Sequence, residues 1–131
     1  MLMTRAPTTA AADDHLLDAA ARMAERNVRH LPVVDGDRHV VGILSDRDVR
    51  TAVGDSSRPL HPDDARVRMG SLRVADAMTR DVFVVRQDAA FADIVRAFTD
   101  QRLGAVPVVD ERERLVGIIS YVDVFKNAGA L

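Results

Sequence analysis

Two short segments of the chain each place a hydroxyl and a carboxylate three residues apart. Ser45 and Asp48 directly follow one apolar run, and Ser120 and Asp123 directly follow another. Short apolar runs with β-branched residues are typical of buried strands, and the polar residues after them can begin a helix. At a helix start, a serine oxygen can accept a backbone N–H that has no partner inside the helix. Each segment is therefore a candidate helix cap.

The same segments are candidate binding sites. A carboxylate can accept from both hydroxyls of a cis-diol, which suits a ribose, and it repels a phosphate. A phosphate instead favours the free N–H groups and the positive dipole end of the helix. Capping and binding can coexist at one segment. Gly42 and Gly117, inside the preceding apolar runs, permit close approach by either a ligand or a packed backbone.

An internal duplication relates the two segments. The shift that places Ser45 on Ser120 also places residues 31–35 on 106–110 without a gap, and it aligns two Met-Thr-Arg triplets. A fixed repeat period is a strong signal of architecture, and two copies predict a pseudo-two-fold pair and not a solenoid. One copy alone, at roughly 55 residues, would be marginally stable. We therefore expect the two copies to share a core.

Composition limits the classes of function. The 131-residue chain is 47% hydrophobic and 29% charged, as expected of one soluble globular domain. Its net charge of −2 gives no electrostatic case for nucleic acid or an anionic membrane as a partner. The lack of cysteine excludes disulfides and thiolate metal sites. No apolar run is long enough for a signal peptide or a membrane span, so we expect a cytoplasmic protein.

Apolar periodicity and turn signals predict the order strand–helix–strand–strand–helix in each copy. We therefore expect an α+β (α/β-like) fold, in which two β-α-β-β-α units at 1–54 and 74–131 have small sheets covered by helices. Residues 55–73 join them, and the proline, glycine and serine content of 54–71 predicts a loop or partly ordered linker. The individual predictions are a helix capped by Asp13 and ending at Asn27, strands at 32–34 and 40–44, a helix from Ser45 to Val53, one turn at 74–78, a helix capped by Asp88 with Phe91, Ile94 and Phe98 in the core, strands at 105–109 and 115–119, and a helix from Ser120 to Asn127.

The duplicated Pro-Val-Val-Asp and Gly-Ile-hydrophobic-Ser-x-x-Asp segments resemble a tandem pair of cystathionine-β-synthase (CBS) domains, a Bateman module, over about residues 3–128. The resemblance implies that adenosine-containing ligands bind in clefts between the repeats, with the Asp on the ribose hydroxyls and the Ser nearer the phosphate. It nominates as ligand-binding residues Ser45, Asp48, Ser120 and Asp123, with Thr4, Thr8, His30, Thr79, Val82, Phe83 and Ala105 as cleft walls.

Arg47 distinguishes the two copies, because Val122 is its counterpart. A guanidinium in the first turn of a helix opposes the helix dipole, so Arg47 has no capping use and its position argues for an anionic partner. A ligand phosphate could be that partner, and so could Asp46 or Asp48. We therefore include Arg47 among the ligand-binding candidates.

The sequence favours binding over catalysis. Neither serine has a histidine nearby in the sequence, and there is no nucleophile elbow or phosphate-binding glycine loop. His15, His39 and His61 lack metal-ligand spacing. We expect a non-enzymatic regulatory module that senses AMP, ADP, ATP or a related adenosine ligand, such as S-adenosylmethionine or NAD. It should need no cofactor, with Mg²⁺ only alongside ATP, and form a homodimer that regulates another protein. The alternative is an assembly domain with non-functional clefts.

Overall fold

The computed structural model describes residues 3–54, 62–101 and 103–128. In these ranges strands and helices occur twice in the predicted order, with two further helices before the first strand of the second set. None of the helices in these ranges is both long and apolar enough to cross a membrane. In chain order the elements are β1 (Thr4–Arg5), α1 (Leu16–Arg26), β2 (His30–Val34), β3 (Val40–Ser45), α2 (Asp46–Val53), α3 (Pro62–Ser71), α4 (Val74–Ala77), β4 (Val85–Arg86), α5 (Phe91–Gln101), β5 (Ala105–Val109), β6 (Leu115–Ser120) and α6 (Tyr121–Ala128).

Two antiparallel hairpins with the same register form the centre of the two repeats. Pro32 lies opposite Ile43 in the β2–β3 hairpin, and Pro107 lies opposite Ile118 in the β5–β6 hairpin. Each hairpin has an irregularity in register at the equivalent position, just before the last residue of its first strand. The mixed α+β fold with duplicated hairpins confirms the predicted fold class.

The opening segment of each repeat pairs with the sheet of the other repeat. Thr4 in β1 lies opposite Ile118 in β6, so the four-stranded sheet has the order β1-β6-β5-β4. In the same way Thr79 bridges Ile43 of β3, and each of these two residues donates its N–H to the carbonyl of the other at 2.9 Å. The repeats are therefore interlocked, because the Met-Thr-Arg segment that opens each repeat pairs with the hairpin of the other repeat.

Two glycines make this crossing possible. A Cβ atom at Gly42 would lie 2.6 Å from Met78 Sδ and 3.0 Å from the Thr79 carbonyl oxygen. At Gly117 a Cβ would overlap Met3 Sδ and lie 3.0 Å from the Thr4 carbonyl oxygen. The sequence left open whether these glycines admit a ligand or a backbone. The structure assigns both to packing of the crossing segment.

The buried apolar side chains form two clusters, where the sequence predicted one shared core, and each cluster includes residues from the opening segment of the other repeat: Val74 and Met78 in the first and Met3 in the second. In the first, Leu16 and Val74 pack with strand residues, and in the second, Ile94 and Phe98 do so. Ile94 and Phe98 are buried as predicted, whereas Phe91 is only partly buried against the same cluster. Full burial of a side chain such as that of Ile94 or Phe98 stabilises the fold by roughly 1.5–3 kcal/mol.

The prediction that Asp13 and Asp88 cap helices is wrong. Helix α1 begins at Leu16, and α5 begins at Phe91, so each aspartate lies three residues before its helix. The Leu16 N–H instead donates to the Leu72 carbonyl oxygen at 2.9 Å. A backbone carbonyl from the segment between the repeats thus satisfies one of the N–H groups that have no partner inside α1. By contrast, Asn27 adopts the left-handed conformation that ends α1, as predicted.

The described part of the segment between the repeats, residues 62–73, is more ordered than its composition predicted. Pro62 is the first residue of α3, a position that tolerates proline because its missing N–H would have no helical partner. Acidic residues lie in the first turn of α3 and Arg68 in the last, which complements the helix dipole. Met69 and Leu72 pack against the first apolar cluster. The single turn predicted at 74–78 is present as α4, and Pro59 and the two serines at 56–57 lie outside the described residues.

Candidate ligand clefts between the repeats

Ser45 and Asp48 form a reciprocal capping box at the start of α2. The Asp48 N–H donates to Ser45 Oγ at 3.0 Å, and the Ser45 N–H donates to Asp48 Oδ2 at 2.9 Å. Serine Oγ acts here as an acceptor, so its own hydrogen can still be donated. Asp48 Oδ1 accepts no hydrogen bond from any residue that the structure describes. The cap therefore uses only part of the hydrogen-bonding capacity of each side chain.

The second repeat has the same arrangement at the start of α6. The Asp123 N–H donates to Ser120 Oγ at 3.2 Å, and the Ser120 N–H donates to Asp123 Oδ2 at 2.9 Å. Asp123 Oδ1, like its counterpart, has no hydrogen-bond donor within the described ranges. Both helix-capping predictions are thus confirmed. In each repeat one carboxylate oxygen and one hydroxyl hydrogen are available to a ligand.

Strand register places several predicted wall residues beside these caps. Ser45 lies opposite His30, and Ile43, two residues earlier on the same face of β3, lies opposite Thr79. Because alternate residues of a strand share a face, His30, Ser45 and Thr79 lie on one side of the sheet. We call the surface formed by these three residues and Asp48 the Ser45 cleft.

The equivalent surface in the second repeat is formed by Ser120, Asp123, Ala105 and Thr4, and we call it the Ser120 cleft. Ala105 lies opposite Ser120, and Thr4 lies opposite the residue two positions before Ser120. Each cleft therefore combines the capping box of one repeat with the opening segment of the other. Sequence reasoning named both threonines but could not assign them to a cleft, because the assignment depends on the crossing of the opening segments.

Three predicted wall residues lie in the irregular segments after these threonines. Thr8 follows β1, and Val82 and Phe83 follow Thr79, with Thr8 and Phe83 at equivalent positions. The Phe83 side chain is 42% exposed. An exposed aromatic ring offers a face on which a planar group can stack. The role of these three residues stays a prediction.

His30 is the most distinctive side chain at the Ser45 cleft. It is half-buried, and its ring lies so close to Gly104 that a Cβ there would be 2.9 Å from Nε2. Burial lowers the pKa of His30, an effect partly opposed by the nearby carboxylates of Asp46 and Asp48. The imidazole is therefore neutral at neutral pH and can both donate and accept a hydrogen bond.

Backbone hydrogen bonds hold each capping helix against the strand that faces it. The Asp46 N–H donates to the Arg29 carbonyl oxygen at 2.9 Å, and the Tyr121 N–H donates to the Gly104 carbonyl oxygen at the same distance. The residue before β2 and the residue before β5 thus lie directly beside the first turns of α2 and α6. The neighbour of α2 is therefore a charged residue, Arg29, whereas the neighbour of α6 is the uncharged Gly104.

Two cavities that the sequence did not predict lie away from the capping boxes. One, of about 680 Å³, is bounded by the loop before α1, including Asp13 and Asp14, and by Arg22 and Arg80. The other, of about 220 Å³, is apolar and lies among the second cluster, next to Phe91. Helix α4 buries a valine in the first cluster, and the described residues contain no equivalent helix over the second.

A group of polar side chains in the first hairpin turn arises from the turn itself. The Asp35 carboxylate accepts the N–H groups of Asp37 and His39, both at 2.9 Å, and this hydrogen bonding lowers the pKa of Asp35. Ligand atoms of the three side chains lie within 4.8 Å of one another, but all three are exposed. Asp110 makes the equivalent bonds in the second turn, so the geometry is a structural feature of both hairpins.

Comparison with known proteins agrees with the duplication. The CBS domain family matches residues 1–55 and 74–129. The chain is 25% identical over 128 residues to the L-aspartate semialdehyde sulfurtransferase of Methanocaldococcus jannaschii, covering 98% of the chain and 22% of that enzyme. It is 30% identical over 119 residues to the inosine-5'-monophosphate dehydrogenase of the same organism, covering 91% of the chain and 21% of the enzyme. The chain thus spans about a fifth of the length of these relatives.

Solved structures extend the comparison to the fold. A crystal structure of a CBS domain pair in complex with 5'-methylthioadenosine and S-adenosyl-L-methionine superposes with a TM-score of 0.80 at 25% identity, covering 98% of this chain and 93% of that one. A crystal structure of CBSX2 in complex with AMP has a TM-score of 0.82 at 24% identity, covering 99% and 94% of the two chains, and supports the fold alone. Since the family matches both repeats and the fold matches a domain pair, the chain belongs to the CBS domain family.

Proposed function

We propose that this chain is a regulatory module that binds adenosine-containing ligands in the Ser45 and Ser120 clefts. One observation carries the proposal: each capping box leaves Oδ1 of its aspartate without a donor in the described structure. A related CBS domain pair was crystallised with two adenosine compounds, which supports adenosine as the shared part of the ligand.

The ribose is the part of the ligand that suits the aspartates. A carboxylate with one unused oxygen can accept from the 2' and 3' hydroxyls, while its other oxygen keeps the helix capped. The serine hydroxyl and the first turn of the helix then face the 5' side of the sugar, where an anion is stabilised by the helix dipole. The walls formed by the opening segments would enclose the base.

Binding would strengthen the contact between repeats. Each cleft takes its cap from one repeat and its threonine from the other, so a ligand there contacts both. A ligand that binds only the native state stabilises it by mass action, by ~2.7 kcal/mol at a hundredfold excess over Kd. We propose that this change is transmitted to a protein that the module regulates. No resident cofactor is required, and Mg²⁺ would accompany only ATP.

We also propose that the chain forms a homodimer. Phe125 of helix α6, four residues after Tyr121, is 72% exposed. An aromatic side chain of this size left in solvent favours a protein interface. The same observation favours the second candidate function, an assembly domain whose clefts bind nothing.

Calorimetry with adenosine, AMP, ATP, S-adenosylmethionine and NAD tests the proposal. We expect at least one adenosine compound to bind the purified protein, and we expect Asp48→Ala and Asp123→Ala each to remove one site. The matched control is Asp100→Ala, which changes an exposed aspartate on α5 and should leave every affinity unchanged. If none of these compounds binds, the proposal is wrong, and a dimer in sedimentation would then favour the assembly function.

A further inference from the structure

The residues around the two capping boxes differ in charge, although the boxes themselves are equivalent. The internal duplication allows each position in one cleft to be compared with its counterpart in the other. Four positions touching or flanking the caps differ in chemistry. The pairs are Arg29 and Gly104, His30 and Ala105, Asp46 and Tyr121, and Arg47 and Val122.

Two guanidinium groups without a partner in the described part of the chain flank the Ser45 cleft. Arg47 is the second residue of α2, and Arg29 is fixed beside the same turn by the 2.9 Å bond from the Asp46 N–H to its carbonyl oxygen. Both side chains are exposed, and neither forms a hydrogen bond or ion pair with any residue in the described ranges. Neither Asp46 nor Asp48 forms an ion pair or hydrogen bond with Arg47 in the described ranges, so neither supplies the anionic partner that the sequence left open. An anion beside the first turn of α2 would complement both arginines.

The Ser120 cleft has an apolar surface at the same place. Tyr121 and Val122, the first two residues of α6, are 57% and 55% exposed, and the Tyr121 ring contacts Phe98 edge-on with ring centroids 6.4 Å apart. No lysine or arginine occurs at 103–106 or 121–125. An arginine follows the threonine of each cleft, Arg5 after Thr4 and Arg80 after Thr79, so these two residues do not distinguish the clefts. A phosphate here would lose water without gaining the two guanidinium partners.

We propose that the two clefts bind different classes of adenosine ligand. The Ser45 cleft takes a 5'-phosphorylated nucleoside, with the phosphate between Arg29 and Arg47. The Ser120 cleft takes an uncharged nucleoside with an apolar 5' substituent, which packs on Tyr121 and Val122. This inference rests on the proposed function, and it makes the chain a module that responds to two ligands at once.

The test isolates each cleft and then exchanges the distinguishing residue. Asp123→Ala leaves the Ser45 cleft, and Asp48→Ala leaves the Ser120 cleft, with AMP, adenosine and 5'-methylthioadenosine as calorimetric probes. We expect Asp123→Ala protein to bind AMP at least tenfold more tightly than adenosine, and Arg47→Val in that background to remove the preference. We expect Asp48→Ala protein to bind 5'-methylthioadenosine at least tenfold more tightly than AMP, and Val122→Arg to reduce that ratio.

The outcomes separate this inference from the function on which it rests. If the wild type binds none of the three probes, the proposed function fails. If both isolated clefts bind adenosine but neither discriminates by charge, or if Arg47→Val leaves the AMP preference unchanged, only the inference is overturned. Should either alanine variant unfold, Asp48→Asn and Asp123→Asn keep the size of the side chain, and the phosphorus NMR shift of AMP in wild-type and Arg47→Val protein measures phosphate contact directly.

Discussion

Substitution of Gly42 by alanine tests whether the repeats are interlocked as described. The new Cβ would lie 2.6 Å from Met78 Sδ and 3.0 Å from the Thr79 carbonyl oxygen. The methionine can rotate away, but the carbonyl cannot, because Thr79 is joined to Ile43 by two hydrogen bonds of 2.9 Å. The substitution should therefore force the opening segment of the second repeat away from β3.

The magnitude follows from two opposing effects. Replacing a glycine whose conformation alanine can adopt stabilises a protein by about 0.4–1 kcal/mol, because the unfolded chain loses freedom. Overpacking in a close contact costs roughly 1–3 kcal/mol. We expect a net loss of about 1–2 kcal/mol of unfolding free energy for Gly42→Ala. Gly70→Ala is the matched control, because nothing lies within 4 Å of its added Cβ. That change in helix α3 should stabilise the protein by roughly 0.5–1 kcal/mol.

Urea denaturation followed by circular dichroism measures both variants. If the m-value stays constant, a change in midpoint reports stability directly. The two glycine substitutions should shift the midpoint in opposite directions. A Gly42→Ala protein as stable as Gly70→Ala would refute the close packing of the crossing segment on β3.

Three further predictions concern the cleft and the interface. Burial lowers the pKa of His30 below its ordinary 6.5, so the folded protein should lose stability as the pH falls through 6.5 toward the lowered value. In urea titrations at several pH values, His30→Asn should lose less stability over the same range. Ser120→Ala removes a helix cap and should cost about 1 kcal/mol of unfolding free energy in the same assay, and an unchanged midpoint would contradict the capping role. Sedimentation at micromolar concentration should show a wild-type dimer and a Phe125→Glu monomer, because the charge would lie in an apolar interface; a monomeric wild type would contradict the dimer.

The local features of the clefts could be predicted from the sequence. Ser-x-x-Asp after an apolar run has a direct physical meaning at a helix start, and both capping boxes formed. The repeat register also predicted the equivalence of the hairpins, because each matched proline fell opposite a matched isoleucine. These predictions succeeded because they depend on residues close together in the chain.

Features that depend on distant residues could not be predicted in this way. Thr4 pairs with Ile118 across nearly the whole chain, so the purpose of the strand glycines became clear only with the crossing in view. The composition of residues 54–71 predicted a loop, whereas Pro62–Ser71 form helix α3. The prediction failed there because proline at the first position of a helix does not break it. That Arg47 has no hydrogen-bond or ion-pair partner among the residues that the structure describes likewise became clear only with side-chain positions.

Comparison of adenosine with 2',3'-dideoxyadenosine by calorimetry tests the central claim most directly. The claim is that Asp48 and Asp123 accept the hydroxyls of a ribose with the oxygen that the capping box leaves unused. We predict that adenosine binds the wild type and that the dideoxy analogue, which keeps the base and the 5' hydroxyl, binds at least tenfold more weakly. Equal affinity for the two compounds would contradict the assignment of the ribose to the aspartates.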